Sequence, residues 1–158
     1  MVFICEKYMK KAIQLAQLGR GHTNPNPMVG AVIVKNNKII GGGYHQYYGG
    51  LHAERDAFAN CTEDPSGADL YVTLEPCCHY GKTPPCTDII IEKNIKRVFV
   101  GSDDPNPLVA GKAIEKLKQN GIEVYTGILK AKCDELNTIF FHYIKTKMPY
   151  VVMKYAMT

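Results

Sequence analysis

Three residues of metal-ligating type fall where a folded chain could bring them together: His52, Cys77 and Cys86. Cys77 follows Glu75-Pro76 at the end of an apolar run, Leu70-Tyr71-Val72-Thr73-Leu74, that reads as a buried strand. Cys86 follows Pro84-Pro85, a pair that cannot lie inside a helix but suits its first turn, with Thr83 ahead of it as an N-cap. The helix expected over 87–94 then puts Cys86 where backbone N–H groups and the helix dipole favour a thiolate. His52 opens another expected helix, over 52–60, which keeps Glu54 near a metal without requiring it to bind. Three protein ligands and one open position make a catalytic zinc site, whereas structural sites close with four. Such a centre makes water nucleophilic near neutral pH, and a carboxylate beside it can carry the proton.

A histidine, a non-ligand glutamate and two cysteines behind a proline form the pattern of the zinc nucleobase deaminases, His-x-Glu…Pro-Cys-x-x-Cys. Here eight residues, not two, separate the cysteines. This longer form, Thr73-Leu74-Glu75-Pro76-Cys77 with His79, Gly81 and Thr83-Pro84-Pro85-Cys86, resembles the deaminase domain of the riboflavin biosynthesis proteins, in the cytidine deaminase-like superfamily. The resemblance takes in Thr23-Asn24-Pro25-Asn26-Pro27-Met28-Val29-Gly30, His45 and His52-Ala53-Glu54. It continues through Asp104-Pro105-Asn106-Pro107 and Val109-Ala110-Gly111, so it covers nearly the whole chain in order.

The resemblance implies a zinc-dependent aminohydrolase. Its substrate would be the pyrimidine ribotide 2,5-diamino-6-ribosylamino-4(3H)-pyrimidinone 5′-phosphate. The products would be 5-amino-6-ribosylaminouracil 5′-phosphate and ammonia, in an early step of riboflavin synthesis. One zinc ion would sit on His52, Cys77 and Cys86, with Glu54 carrying protons between water, ring nitrogen and departing amine. Asn24, His45, Ala53, His79, Lys82, Asp104 and Asn106 would contact the substrate. On the residues alone, the amide of Asn24, in a proline-rich loop, suits base recognition and turn formation equally. Lys82 inside the metal loop suits the phosphate. Cys77 is preferred over its neighbour Cys78 by its place after Glu-Pro; Cys5, Cys61 and Cys133 read as small buried apolar residues. Two other readings compete. Deaminases of free cytosine, cytidine, deoxycytidylate, guanine or tRNA adenosine usually carry the shorter cysteine spacing. A non-catalytic zinc module would need a fourth ligand, such as His79, and would have no use for Glu54.

The elements that must position these groups follow from periodicity. Met9, Ala12, Ile13 and Ala16 mark a first helix, and 29–34 and 39–40 a hairpin turned at Lys35-Asn36-Asn37-Lys38. Gly41-Gly42-Gly43 is expected to bend or bulge the backbone. Strands at 69–74, 97–100 and 122–125 alternate with helices, the last helix running through Leu129, Cys133, Leu136 and Phe140. The expected fold is α/β, a three-layer α/β/α sandwich around a mixed five-stranded sheet of cytidine deaminase-like type. Residues 1–147 would form the deaminase domain. The apolar 149–154 reads as one more strand, and 148–158 as the start of a second, reductase domain, which in the resembling family uses NADPH.

The 158 residues suit one domain with a sizeable core. A net charge of +4 without a dense Lys/Arg block argues against a nucleic-acid partner. No apolar stretch approaches membrane-spanning length, and the start, Met1 to Glu6, is charged too early for a signal peptide, so a cytoplasmic protein is expected. The resemblance implies a homo-oligomer, dimer or tetramer.

Overall fold

Strand residues alternate between two buried faces, and that alternation organises the chain. The computed structural model describes residues 6–81, 84–106 and 110–157. Its elements are α1 (Glu6–Gln17), β1 (Gly30–Lys35), β2 (Lys38–Tyr44), α2 (Ala53–Ala59), β3 (Asp69–Leu74), α3 (Cys86–Glu92), β4 (Arg97–Ser102), α4 (Lys112–Gln119), β5 (Glu123–Tyr125), α5 (Lys130–Leu136) and α6 (Thr138–Thr146). The sheet has five strands in the order β2-β1-β3-β4-β5. β1 pairs antiparallel with β2 and β3, whereas β3, β4 and β5 run parallel. This is the mixed, three-layer α/β/α arrangement expected from the sequence.

One face, with Ala31, Ile33, Leu70, Val72, Val98 and Val100, packs under Ala57, Ile90 and Leu117 of α2, α3 and α4. The other, with Val32, Val34, Tyr71 and Phe99, packs under Tyr8, Met9 and Ala12 of α1 and Cys133 of α5. Tyr71, Phe99 and Tyr125 occupy one register line across the parallel strands and stack at 4.4 and 5.1 Å between ring centroids. Covering both faces leaves the strand ends as the openings, and β3 and β4 both end towards one edge.

The β1–β2 hairpin turns through Asn36 and Asn37 at φ of 50° and 62°, the left-handed pair that asparagine tolerates. A bulge falls at Ile40, yet β2 continues through the three glycines. Their purpose is proximity. A Cβ on Gly43 would lie 2.2 Å from the backbone nitrogen of Ala57, and one on Gly41 2.6 Å from its oxygen. Helix α2 therefore rests directly on strand backbone.

Two expectations are corrected. The last helix is two helices, α5 and α6, because Asn137 leaves the helical conformation at φ −125° and turns its amide to another segment. The strand expected at 149–154 does not form: residues 147–157 hold no helix or strand, and Val151, Val152 and Met153 are 82%, 72% and 85% exposed. A strand requires a ladder partner, and none of the five strands pairs with this segment. No helix among the described residues is long and apolar enough to cross a membrane.

Gly43→Ala should lower the unfolding free energy by about 1–3 kcal/mol, because the strand–helix contact has no room for a methyl group. A lower urea midpoint would show it, and an unchanged midpoint would contradict the close packing.

Candidate metal centre and active site

Three elements deliver three donors to one point. His52 is the N-cap of α2, held extended at φ −69° and ψ 155°, with its carbonyl accepting the Asp56 N–H at 2.9 Å. Cys77 lies just past the end of β3. Cys86 is the first residue of α3 and fully buried. Pro85 rather than Thr83 caps that helix, and Thr83 lies outside the described residues. The loop is closed by two backbone bonds: Thr87 N–H to the Cys77 carbonyl at 3.2 Å, and Cys86 N–H to Cys77 Sγ at 3.2 Å. From α2, the Arg55 guanidinium donates to the carbonyls of Pro84 and Pro85 at 3.1 and 3.2 Å, tying the Pro-Pro turn to the helix that carries His52.

His52 Nδ1 is 3.5 Å from Cys77 Sγ and 3.4 Å from Cys86 Sγ. A tetrahedral zinc with bonds of about 2.0–2.1 Å to nitrogen and 2.3 Å to sulfur holds such atoms about 3.6 Å apart. All three donor atoms lie within 4.8 Å of one another. The spacing and the donor set fit zinc. Among the described residues, this is the group that could hold a metal, and His79, the fourth ligand that a closed structural site would need, is not in it. Cys78 is half-buried and also outside it.

The electrostatics match a cation site. The Cys77 thiol is pulled down to about 4, first by the hydrogen bond from Cys86 and then by those from His52 and the Cys86 amide. The Cys77 thiolate in turn raises the His52 imidazole. The Cys86 thiol is pushed up, chiefly because it donates to Cys77 and also because it is buried. Glu54 is 3% exposed, and burial raises its carboxyl above the usual carboxylate range.

A cavity of 410 Å³ opens beside this centre. Its walls include Glu54, Ala53, His45, Glu75, His79 and Asp104. His45 is buried, with Nδ1 2.8 Å from the Leu51 carbonyl. That oxygen can only accept, so Nδ1 carries the proton and Nε2 accepts from Asn26 Nδ2 at 3.0 Å. Asp104 is half-buried, which raises its carboxyl, and its Oδ1 accepts the Asn106 N–H at 2.8 Å. Asn106 is half-buried but does not line the cavity. His79 is an exposed part of the rim, and Lys82 lies outside the described residues.

Asn24 is exposed and off the cavity; Asn26, two residues on, lines it. Sequence reasoning also passed over Glu75. This buried carboxylate accepts the Gly111 N–H at 2.9 Å and the Asp104 N–H at 3.2 Å, so it ties the end of β3 to the loop after β4. Its place in Glu-Pro-Cys was the available signal. Phe140 of α6 completes a further wall; its helical spacing marks it as part of a helix face and not as a cavity residue.

Residues 4–102 match the cytidine and deoxycytidylate deaminase zinc-binding region. The chain is 64% identical over 151 residues to the riboflavin biosynthesis protein RibD of Actinobacillus pleuropneumoniae, covering 96% of this chain and 40% of that protein. It is 47% identical over 142 residues to the diaminohydroxyphosphoribosylamino-pyrimidine deaminase of Buchnera aphidicola, covering 90% of this chain and 97% of that one. Among solved structures, a diaminohydroxyphosphoribosylaminopyrimidine deaminase/5-amino-6-(5-phosphoribosylamino)uracil reductase from Thermotoga maritima superposes with a TM-score of 0.88 at 51% identity, over 92% of this chain and 41% of that one. The chain thus spans about two fifths of the RibD-type relatives it matches.

Zinc content should fall in Cys77→Ser and stay at about one per chain in Cys78→Ser; the reverse result would exchange the two cysteines. Glu54 gives a second test. With its pKa raised, the native state binds more protons than the unfolded state between the two values, so stability falls as pH rises through that window and remains lower above it. In metal-free protein, Glu54→Gln should therefore raise the melting temperature, more at about pH 8 than at about pH 4. An equal change at both would show that burial of this carboxylate carries no cost.

Proposed function

Because the chain belongs to the cytidine and deoxycytidylate deaminase family with its zinc-binding region, we propose that it hydrolytically deaminates 2,5-diamino-6-ribosylamino-4(3H)-pyrimidinone 5′-phosphate. The products are 5-amino-6-ribosylaminouracil 5′-phosphate and ammonia. The observation that carries this reading is the convergence of His52, Cys77 and Cys86 beside a buried Glu54 in one cavity. The Buchnera relative, matched over nearly its full length, carries the corresponding name and supports the choice of substrate.

His52 Nδ1 and the Cys77 and Cys86 sulfurs would hold one zinc ion. Bound there, it supplies the Lewis acidity that makes water a nucleophile near neutral pH. The chain's own part is positioning and proton movement. Glu54 takes a proton from the attacking water and gives it to the ring nitrogen beside the carbon under attack. It then passes the second water proton to the departing amine, so that oxygen remains on the ring and ammonia leaves. A carboxyl raised by burial suits a carrier that must both accept and release protons near neutrality.

Asn26, oriented by His45, replaces Asn24 as the amide that reads the base. Ala53, His79 and Asp104 would line the bound ribotide, with Asn106 acting through Asp104; Lys82, outside the described residues, carries the charge that suits its phosphate. Residues 1–147 would be the deaminase unit. The reductase named in the Thermotoga relative supports reading 148–158 as a lead into an NADPH-using domain. A cytoplasmic homo-oligomer, dimer or tetramer, remains the expected setting.

The test is ammonia release by the zinc-loaded protein from the ribotide, with cytidine alongside. Release from the ribotide alone supports the proposal, and release from cytidine alone overturns the substrate. Glu54→Gln should keep its zinc and lose about 10²–10⁴ in kcat. Near-normal turnover would remove Glu54 from the chemistry.

A further inference from the structure

Asn137 stands where α5 hands over to α6, as the C-cap of one and the N-cap of the other. The residue is 5% exposed, and both ends of its side-chain amide bind one residue. Oδ1 accepts the Met28 N–H at 2.7 Å, and Nδ2 donates to the Met28 carbonyl at 2.8 Å. A side chain thus supplies the paired bonds that one strand residue offers another, across a sequence separation of 109. Met28 sits between Pro27 and Val29, both on the cavity wall, and two residues from Asn26. At its backbone, the Asn137 carbonyl accepts the Phe141 N–H at 2.8 Å, which starts α6, and the neighbouring Phe140 also lines the cavity. One buried amide therefore joins two walls of the cavity built from distant parts of the chain.

We propose that Asn137 is a positioning residue for the substrate cavity: it fixes the spacing between Asn26-Pro27 and Phe140, and so the shape of ring that the cavity accepts. The inference rests on the deaminase reading for the identity of that ring. The walls bind substrate and transition state alike, so loosening them raises KM and leaves kcat.

Asn137→Asp keeps the volume and the acceptor but sets a second oxygen against the Met28 carbonyl. In the zinc-loaded variant, KM for the ribotide should rise about tenfold, equivalent to about 1.4 kcal/mol, with kcat within about twofold and zinc at one per chain. Amide hydrogen exchange should quicken in 24–29 and 138–146 together and stay unchanged in 86–92. An unmoved KM, or faster exchange in one segment alone or in neither, overturns the proposal. Should Asn137→Asp fail to fold, Phe140→Leu tests the same wall: KM should rise with zinc retained, and an unmoved KM overturns the role. If the wild-type protein releases no ammonia from the ribotide, the deaminase reading fails by itself, and the joint exchange of the two segments still decides the part played by Asn137.

Discussion

Two thiols from separate elements crowd to within 3.5 Å of one imidazole, that of His52, and the rest of the fold makes that possible. Cys77 is drawn down to about 4 while Cys86 and His52 are driven up, so each holds its neighbour in an unusual state. A divalent cation relieves all three at once, because it takes thiolate and neutral imidazole together. Glu54 sits close enough to feel the charges of Cys77 and His52.

Convergence of this kind needs rigid carriers. Helix α2 rests on the bare backbone of β2 at Gly41 and Gly43, which fixes the height at which His52 is presented. The first turn of α3 is bound to the end of β3 through Cys77 itself, and Arg55 clips the intervening Pro-Pro turn to α2. Glu75 makes a comparable tie, holding the loop after β4 through two backbone N–H groups. The ties through Cys77 and Glu75 run from just past the C-terminal end of β3, where α/β sheets leave their crevice.

Much of this was legible in the sequence, for physical reasons that differ by residue. β3 could be read to the residue because a strand buried on both faces is a continuous apolar run with sharp ends. The two cysteines of the cluster were legible because proline limits what can surround Cys77 and Cys86, and the structure brings both beside His52. Asn24 and Asn26 were not separable: both stand before proline in the same loop, and only the His45 bond distinguishes the one facing inward. The break at Asn137 was hidden for a related reason. Leu129, Cys133, Leu136 and Phe140 keep helical spacing across it, and the cause of the break is Met28, far away in sequence. The apolar 149–154 had the composition of a strand but no ladder partner, and composition alone cannot supply one.

The most direct measurement of the central claim is X-ray absorption at the zinc edge of the zinc-loaded protein. Two sulfurs and one imidazole nitrogen at about 2.3 and 2.0–2.1 Å, with no fourth protein donor, is the expected shell. A third sulfur, from Cys78, or a second imidazole, from His79, would close the site and contradict a catalytic centre built on His52, Cys77 and Cys86.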